Sequence, residues 1–131
     1  MKTITILQPW ASLIACGAKK IETRSWSTSH RGSLAIHAGR TVPSMEFFTP
    51  RVEKALWNED TPFGKVIAIA DLVDCVEMTN ERIAAWRDTY GDDEIAFGHF
   101  EQGRYAWILA NVRGIEPVPA KGRQRLWEWE Q

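Results

Sequence analysis

The stretch "GAKKIETRSW", residues 17 to 26, packs two lysines, a glutamate, an arginine and a tryptophan between two apolar runs. Upstream lies "ILQPWASLIAC" (6–16), and downstream "GSLAIHAG" (32–39). Charges placed between two core-forming segments mean either a solvated turn or a site. Gly17 suits the end of a helix, so Lys19 and Lys20 fall in the connecting turn. Residues 21–26 alternate as a strand, which puts Glu22, Arg24 and Trp26 on one face and Ile21 and Thr23 on the other. Lys19 can reach over the charged face from the turn. The bland alternative is an ion pair on an exposed sheet face, which is energetically modest.

Working outward, "TITIL" (3–7) alternates as a first strand. Pro9 suits the first turn of a helix, and "WASLIAC" is apolar enough to be a short, mostly buried one. "GSLAIHAG" reads as a strand with one face to the core. Thr49 and Pro50 open a helix with Val52, Ala55 and Leu56 as its apolar stripe. "KVIAIADLVDCVEM" (65–78) is the longest strand expected, long enough to bend or bulge. Thr79 caps a helix carrying Ile83, Trp86 and Tyr90, ending near Gly91. "RYAWILANVRGIE" (104–116) and "RQRLWEWE" (123–130) complete the strands. About six strands and two to three short helices, with strands at both termini, argue for a small α+β barrel with helical insertions.

The chain has 131 residues, so a single domain spanning 1–131 is expected, with 44% hydrophobic residues to build a core. Seven tryptophans are many for this length and point to rings lining a cleft as well as filling the interior. The two cysteines, Cys16 and Cys75, form no CxxC pair. With no secretory leader and no apolar run of membrane-spanning length, they read as reduced, buried thiols of a cytoplasmic protein. The net charge of −1 conceals a pattern: residues 17–54 carry +4, residues 55–103 carry −8, and residues 104–131 carry +2. If the two basic segments meet in space, one face could contact phosphates.

The pattern G-x-K-x-x-E-x-R, met by Gly17, Lys19, Glu22 and Arg24, resembles the signature of the ASCH (activating-signal-cointegrator homology) domain, a relative of PUA-like RNA-binding barrels. "QPWASLI" looks like that family's first helix, "FGKVIAIADLVDC" (63–75) its central strand, and "RYAWILANVRGIEPVPAKGRQRLW" (104–127) its closing strands. The resemblance covers nearly the whole chain and implies a PUA-like β-barrel whose motif residues lie in a cleft. The expected partner is RNA or a nucleoside- or nucleotide-like ligand, with no membrane involved. Lys19 and Arg24 suit a phosphate or a base edge, Trp10 and Trp26 offer stacking rings, and Gln8 can read a base edge. Glu22 completes the motif.

Two hydrolytic alternatives follow from the resemblance. Some relatives look like amidohydrolases of N4-acylated cytidine that use a lysine, a threonine and a glutamate. Lys19 matches the lysine, but the threonine position falls on Glu22, a departure that favours a charged lysine over the neutral one needed for attack. Asp71, Asp74 or Glu77 could supply the carboxylate. The other alternative is ribonuclease activity on single-stranded RNA, with Lys19, Arg24, a carboxylate or His37 sharing the roles. Lys19 and Glu22 are thus the residues on which chemistry would turn. His37 shares a strand face with Ala35 and Gly39, and reads either as a satisfied structural histidine or as a ligand contact. A protein-interaction module using the acidic helix around 79–95 is the third class. No histidine spacing fits a metal, "GDDE" (91–94) reads as a solvated loop, and no cofactor motif occurs.

Overall fold

The computed structural model describes residues 1–130. Six strands form one sheet: β1 (Lys2–Ile6), β2 (Ile21–Arg24), β3 (Gly32–Ala38), β4 (Lys65–Glu77), β5 (Tyr105–Pro119) and β6 (Leu126–Glu128). Their order is β2-β5-β4-β3-β1-β6. The β1–β3 pair is parallel and every other pair antiparallel. Register shifts between β4 and β5 bend both long strands. The sheet rolls until its first strand approaches its fifth, where the Arg24 guanidinium on β2 donates to the Thr5 carbonyl on β1 at 2.9 Å. The result is an α+β half-barrel, in keeping with the small α+β barrel that the strand count led us to expect.

Four short helices accompany it: α1 (Trp10–Ala15), α2 (Pro50–Ala55), α3 (Asn80–Tyr90) and α4 (Asp92–Ala96), with a 3-10 turn over Met45–Phe47. The sequence reading expected two or three. The addition is α4, which occupies the acidic run read as a solvated loop. Gly91, at φ +95°, ends α3 and lets the chain restart as α4. The other starts follow their expected chemistry: Thr49 and Thr79 cap α2 and α3 by accepting from the amides of Val52 and Arg82.

Helix α1 closes the concave side of the sheet. Its Ala11 and Ile14 join Ile4, Leu34, Ile36, Leu72 and Trp107 in the main core. Leu13, on another side of the same helix, packs with Val52 and Leu56 of the α2 region and with Phe97. The alternation of β3 divides its side chains as expected. Leu34, Ile36 and Ala38 face the main core, whereas Ala35 packs with Trp127 and Trp129. The longest strand is β5, not β4, because its pairing continues through Pro119. The closing strand β6 spans only three residues of the stretch expected to alternate. The thiols also differ from expectation: Cys16 is exposed at the end of α1 and Cys75 is half-buried on β4, both unbridged. Among the described residues, no helix is long and apolar enough to cross a membrane.

Candidate functional site

Gly17 takes φ +86° and ends α1. The Lys19 amide then donates to the Leu13 carbonyl, folding the turn back beneath the helix. The Lys19 side chain therefore runs inward. It is 1% exposed, and its Nζ donates to the Phe97 carbonyl at 2.8 Å. Glu22 lies 4.0 Å away and is itself 6% exposed. The Glu22 carboxylate accepts from the Thr23 amide at 3.1 Å and from Arg24 Nε at 3.0 Å. Arg24 Nη2 lies 2.9 Å from the same carboxylate and also donates to the Thr5 carbonyl. Lysine, glutamate and arginine thus form one chain of opposite charges.

A second carboxylate stands behind it. Glu94 on α4 is 2% exposed and accepts from the backbone amides of Lys20 at 2.8 Å and Ile21 at 3.1 Å. Burial pushes the Lys19 ammonium below the ordinary lysine range, and Arg24 adds to that, while Glu22 and Glu94 oppose it. Gly98 makes this packing feasible. A Cβ there would lie 2.9 Å from Thr23 Cγ2 and 3.2 Å from Lys19 Nζ, so only a glycine lets the loop after α4 settle against β2.

Over this layer opens a cleft of about 680 Å³, bounded by the end of β1, Trp10, β2, Phe47 and the 96–99 loop. Trp10 and Phe47 form one wall, their rings 5.0 Å apart and tilted by 58°. Trp26 packs edge-to-face with buried Trp107 at 4.8 Å. The Arg125 guanidinium lies 4.8 Å from the Trp26 ring centroid, a cation–π contact.

Of the residues singled out from the sequence, Trp10, Glu22, Arg24 and Trp26 line the cleft together. Lys19 sits beneath them rather than reaching over the face. Gln8 is fully buried and fully used. Its Oε1 accepts from the Ser12 amide, capping α1, and its Nε2 donates to Ser12 Oγ and the Pro62 carbonyl. His37 lines a separate, smaller cavity. Asp71 accepts from Asn111 at 2.9 Å, Asp74 lies 3.5 Å from Arg31, and Glu77 is exposed, so none of the three lines the cleft. Besides Glu22, the buried carboxylate on the Lys19 side is Glu94, hidden in the run read as solvated. Glu94 and Phe97, three residues apart, are both buried, but nothing in the acidic run itself marks Glu94 as inward. Thr23, Phe47 and His99 also line the cleft, and the His99 amide donates to Thr23 Oγ1 at 3.0 Å. Among the described residues, no three His, Cys, Asp or Glu side chains gather to hold a metal ion.

Comparison with known proteins places this geometry in context. The ASCH domain family model matches residues 4–119. Human activating signal cointegrator 1 is 27% identical over 134 residues, covering 95% of this chain but 22% of that protein. The mouse protein of the same name gives the same identity and coverage. This chain therefore spans about a fifth of the curated relatives it matches. The crystal structure of ASCH from Zymomonas mobilis superposes with a TM-score of 0.65 at 15% identity, covering 99% of this chain and 87% of that one. A Y47F mutant of the Zymomonas protein gives 0.60 at 17% identity, covering 99% and 90%. These likenesses at low identity establish the shared fold.

Proposed function

The chain belongs to the ASCH domain family, and from that premise we propose that its cleft binds single-stranded RNA, seating an unpaired base and a neighbouring phosphate. The observation that carries this reading is the state of Arg24. Its Nε and Nη2 are committed to Glu22 and Thr5, which fixes the guanidinium plane, while Nη1 has no acceptor among the described residues. A pre-oriented guanidinium with two free N–H groups suits a phosphate or base edge. Trp10 and Trp26, which line the same cleft, supply the stacking surface that unpaired bases use. A base stacked on the Arg125 side of Trp26 displaces that arginine, which is then free for a phosphate.

Binding is favoured over hydrolysis because of Lys19. A lysine nucleophile or base must lose its proton and touch the substrate. Here burial lowers the pKa of Lys19, but Nζ is enclosed, donates to the Phe97 carbonyl and does not line the cleft where a substrate would sit. Lys19 and Glu22 on this reading support Arg24. His37 and Gln8 support the walls.

Fluorescence anisotropy with a labelled single-stranded RNA tests the proposal. Affinity should fall steeply with salt, and Arg24→Gln should weaken it about tenfold or more, since a charged, oriented hydrogen-bonding group is worth roughly 1.5–3 kcal/mol. Arg24→Lys should recover only part of this loss, because the fork is gone. Wild-type affinity in Arg24→Gln, or no RNA binding at all, would sink the reading. Turnover of N4-acetylcytidine that survives purification and disappears in Lys19→Met would replace it with the hydrolase.

A further inference from the structure

The basic surface continues beyond the cleft. A second cavity of about 340 Å³ adjoins it, and Thr5 and Leu7 line both. Its other walls come from the segment after β3 and from the loop joining β5 to β6. The two basic segments of the sequence meet here: Arg40 comes from the first, Lys121 and Arg123 from the second. All three are exposed, and among the described residues no acidic one lines the cavity. Among the described residues, none of them pairs with a carboxylate, although Lys2, Arg24, Arg31, Arg51 and Arg87 all do.

Three uncompensated cations around one concavity repel each other unless an anion enters. The fold nevertheless holds two of them in place through their loop. The Ala120 carbonyl accepts from His37 at 2.8 Å, and the Ala120 amide donates to the Gly64 carbonyl at 3.1 Å. Because a carbonyl can only accept, His37 Nε2 carries the proton and Nδ1 accepts from the Thr5 hydroxyl at 3.1 Å. That hydroxyl in turn accepts from the Trp127 indole at 3.1 Å. Gly122 closes over this network: a Cβ there would stand 2.7 Å from His37 Cε1 and 2.8 Å from Thr5 Oγ1. The loop is therefore seated on a fully used polar network, and its lysine and arginine line the cavity and are exposed.

We propose that this second cavity is a phosphate subsite, which takes the sugar–phosphate backbone of a single-stranded RNA next to the nucleotide seated in the cleft. Arg40, Lys121 and Arg123 make the contacts, and exposed Leu7 forms the ridge over which the strand passes. The proposal rests on the RNA reading of the cleft. Its own support is independent: a shared wall, three unpaired cations and a loop fixed to present two of them. Phosphodiesters carry one charge each at regular spacing, so a strand anchored at Arg24 brings its next charges to this cavity.

The test is anisotropy with a labelled RNA octamer, together with calorimetry using cytidine monophosphate, which fills the cleft alone. The variants are Lys121→Ala/Arg123→Ala, Arg40→Ala and Arg24→Gln in the full chain; the first two should leave the melting curve unchanged, and Arg24→Gln is assayed at a temperature where its melting curve shows it folded. The double variant should weaken octamer binding at least tenfold and lower the slope of log K against log salt by about 1.4, since each single-strand phosphate contact contributes about 0.7. Cytidine monophosphate affinity should stay unchanged. Arg40→Ala should give the same pattern at about half the size. Wild-type octamer affinity and slope in the double variant, with Arg24→Gln still impaired, would overturn the subsite and leave the cleft reading standing. Equal losses for octamer and monophosphate would also overturn it, since the cations would then act on the cleft as a whole. An octamer that does not bind the wild type removes both readings. Binding to phosphatidylserine vesicles in its place would assign the cations to a membrane surface and overturn the subsite too.

Discussion

The chain holds two groups of charged residues that look alike in composition and differ in commitment. Around β2, Lys19, Glu22 and the more distant Glu94 are buried and Arg24 half-buried, held by one another or by backbone, with Arg24 Nη1 left without an acceptor among the described residues. Around the β5–β6 loop, Arg40, Lys121 and Arg123 are exposed, and among the described residues no carboxylate pairs with them. The first group is coupled to folding, because each buried charge depends on its partner. The second is nearly free of folding and available to an outside anion. Stability measurements and binding measurements should therefore separate the two.

The largest expected effect is on Glu22. Removing one partner of a buried ion pair leaves the other uncompensated, so Glu22→Ala should destabilise the chain by about 3–5 kcal/mol. Urea unfolding checks this, and a loss under 1 kcal/mol would mean that Lys19 finds other solvation. Glu94→Ala comes next. It strips two backbone amides of a charged acceptor, and about 2–3 kcal/mol should be lost by the same assay. A smaller effect concerns pH. Burial lowers the His37 pKa below its ordinary value of 6.5, with the Ala120 hydrogen bond opposing. As pH falls, the unfolded chain takes up this proton before the folded one, so stability is full above about 6.5 and declines below it. His37→Gln should flatten that part of the curve, and an unchanged curve would remove the assignment. The smallest effects belong to exposed cations. Arg51→Ala breaks a surface pair of 3.3 Å with Asp93 and should change stability by no more than about 0.5 kcal/mol. Lys121→Ala/Arg123→Ala should do likewise. A large loss in that double variant would erase the contrast between the two groups.

The architecture was legible because period-2 alternation and caps are local. "TITIL", "IETR" and "GSLAIHA" state their strands, and Thr49 and Thr79 state their helix starts. Alternation also placed Glu22, Arg24 and Trp26 on the cleft side of β2. Three placements escaped because they depend on distant chain. Lys19 was free to point either way until Phe97 supplied its carbonyl and Gly98 let the loop close over it. Gln8 looked like a base reader, although its spacing of four from Ser12 already offered a helix cap. Glu94 was concealed by Asp92 and Asp93, whose solvated character was extended one residue too far. A single inward carboxylate in an acidic run carries no composition signal, and only its tertiary partners distinguish it.

Those partners give Glu94 a further consequence. β2 is an outer strand of the sheet, and its start presents two backbone amides, that of Ile21 on the strand and that of Lys20 in the turn before it. The Glu94 carboxylate occupies them, and a carboxylate cannot continue a ladder. At the opposite margin, β6 offers only three residues for pairing. One helix of five residues thereby covers the start of this outer strand with a buried carboxylate that accepts from it without extending the sheet.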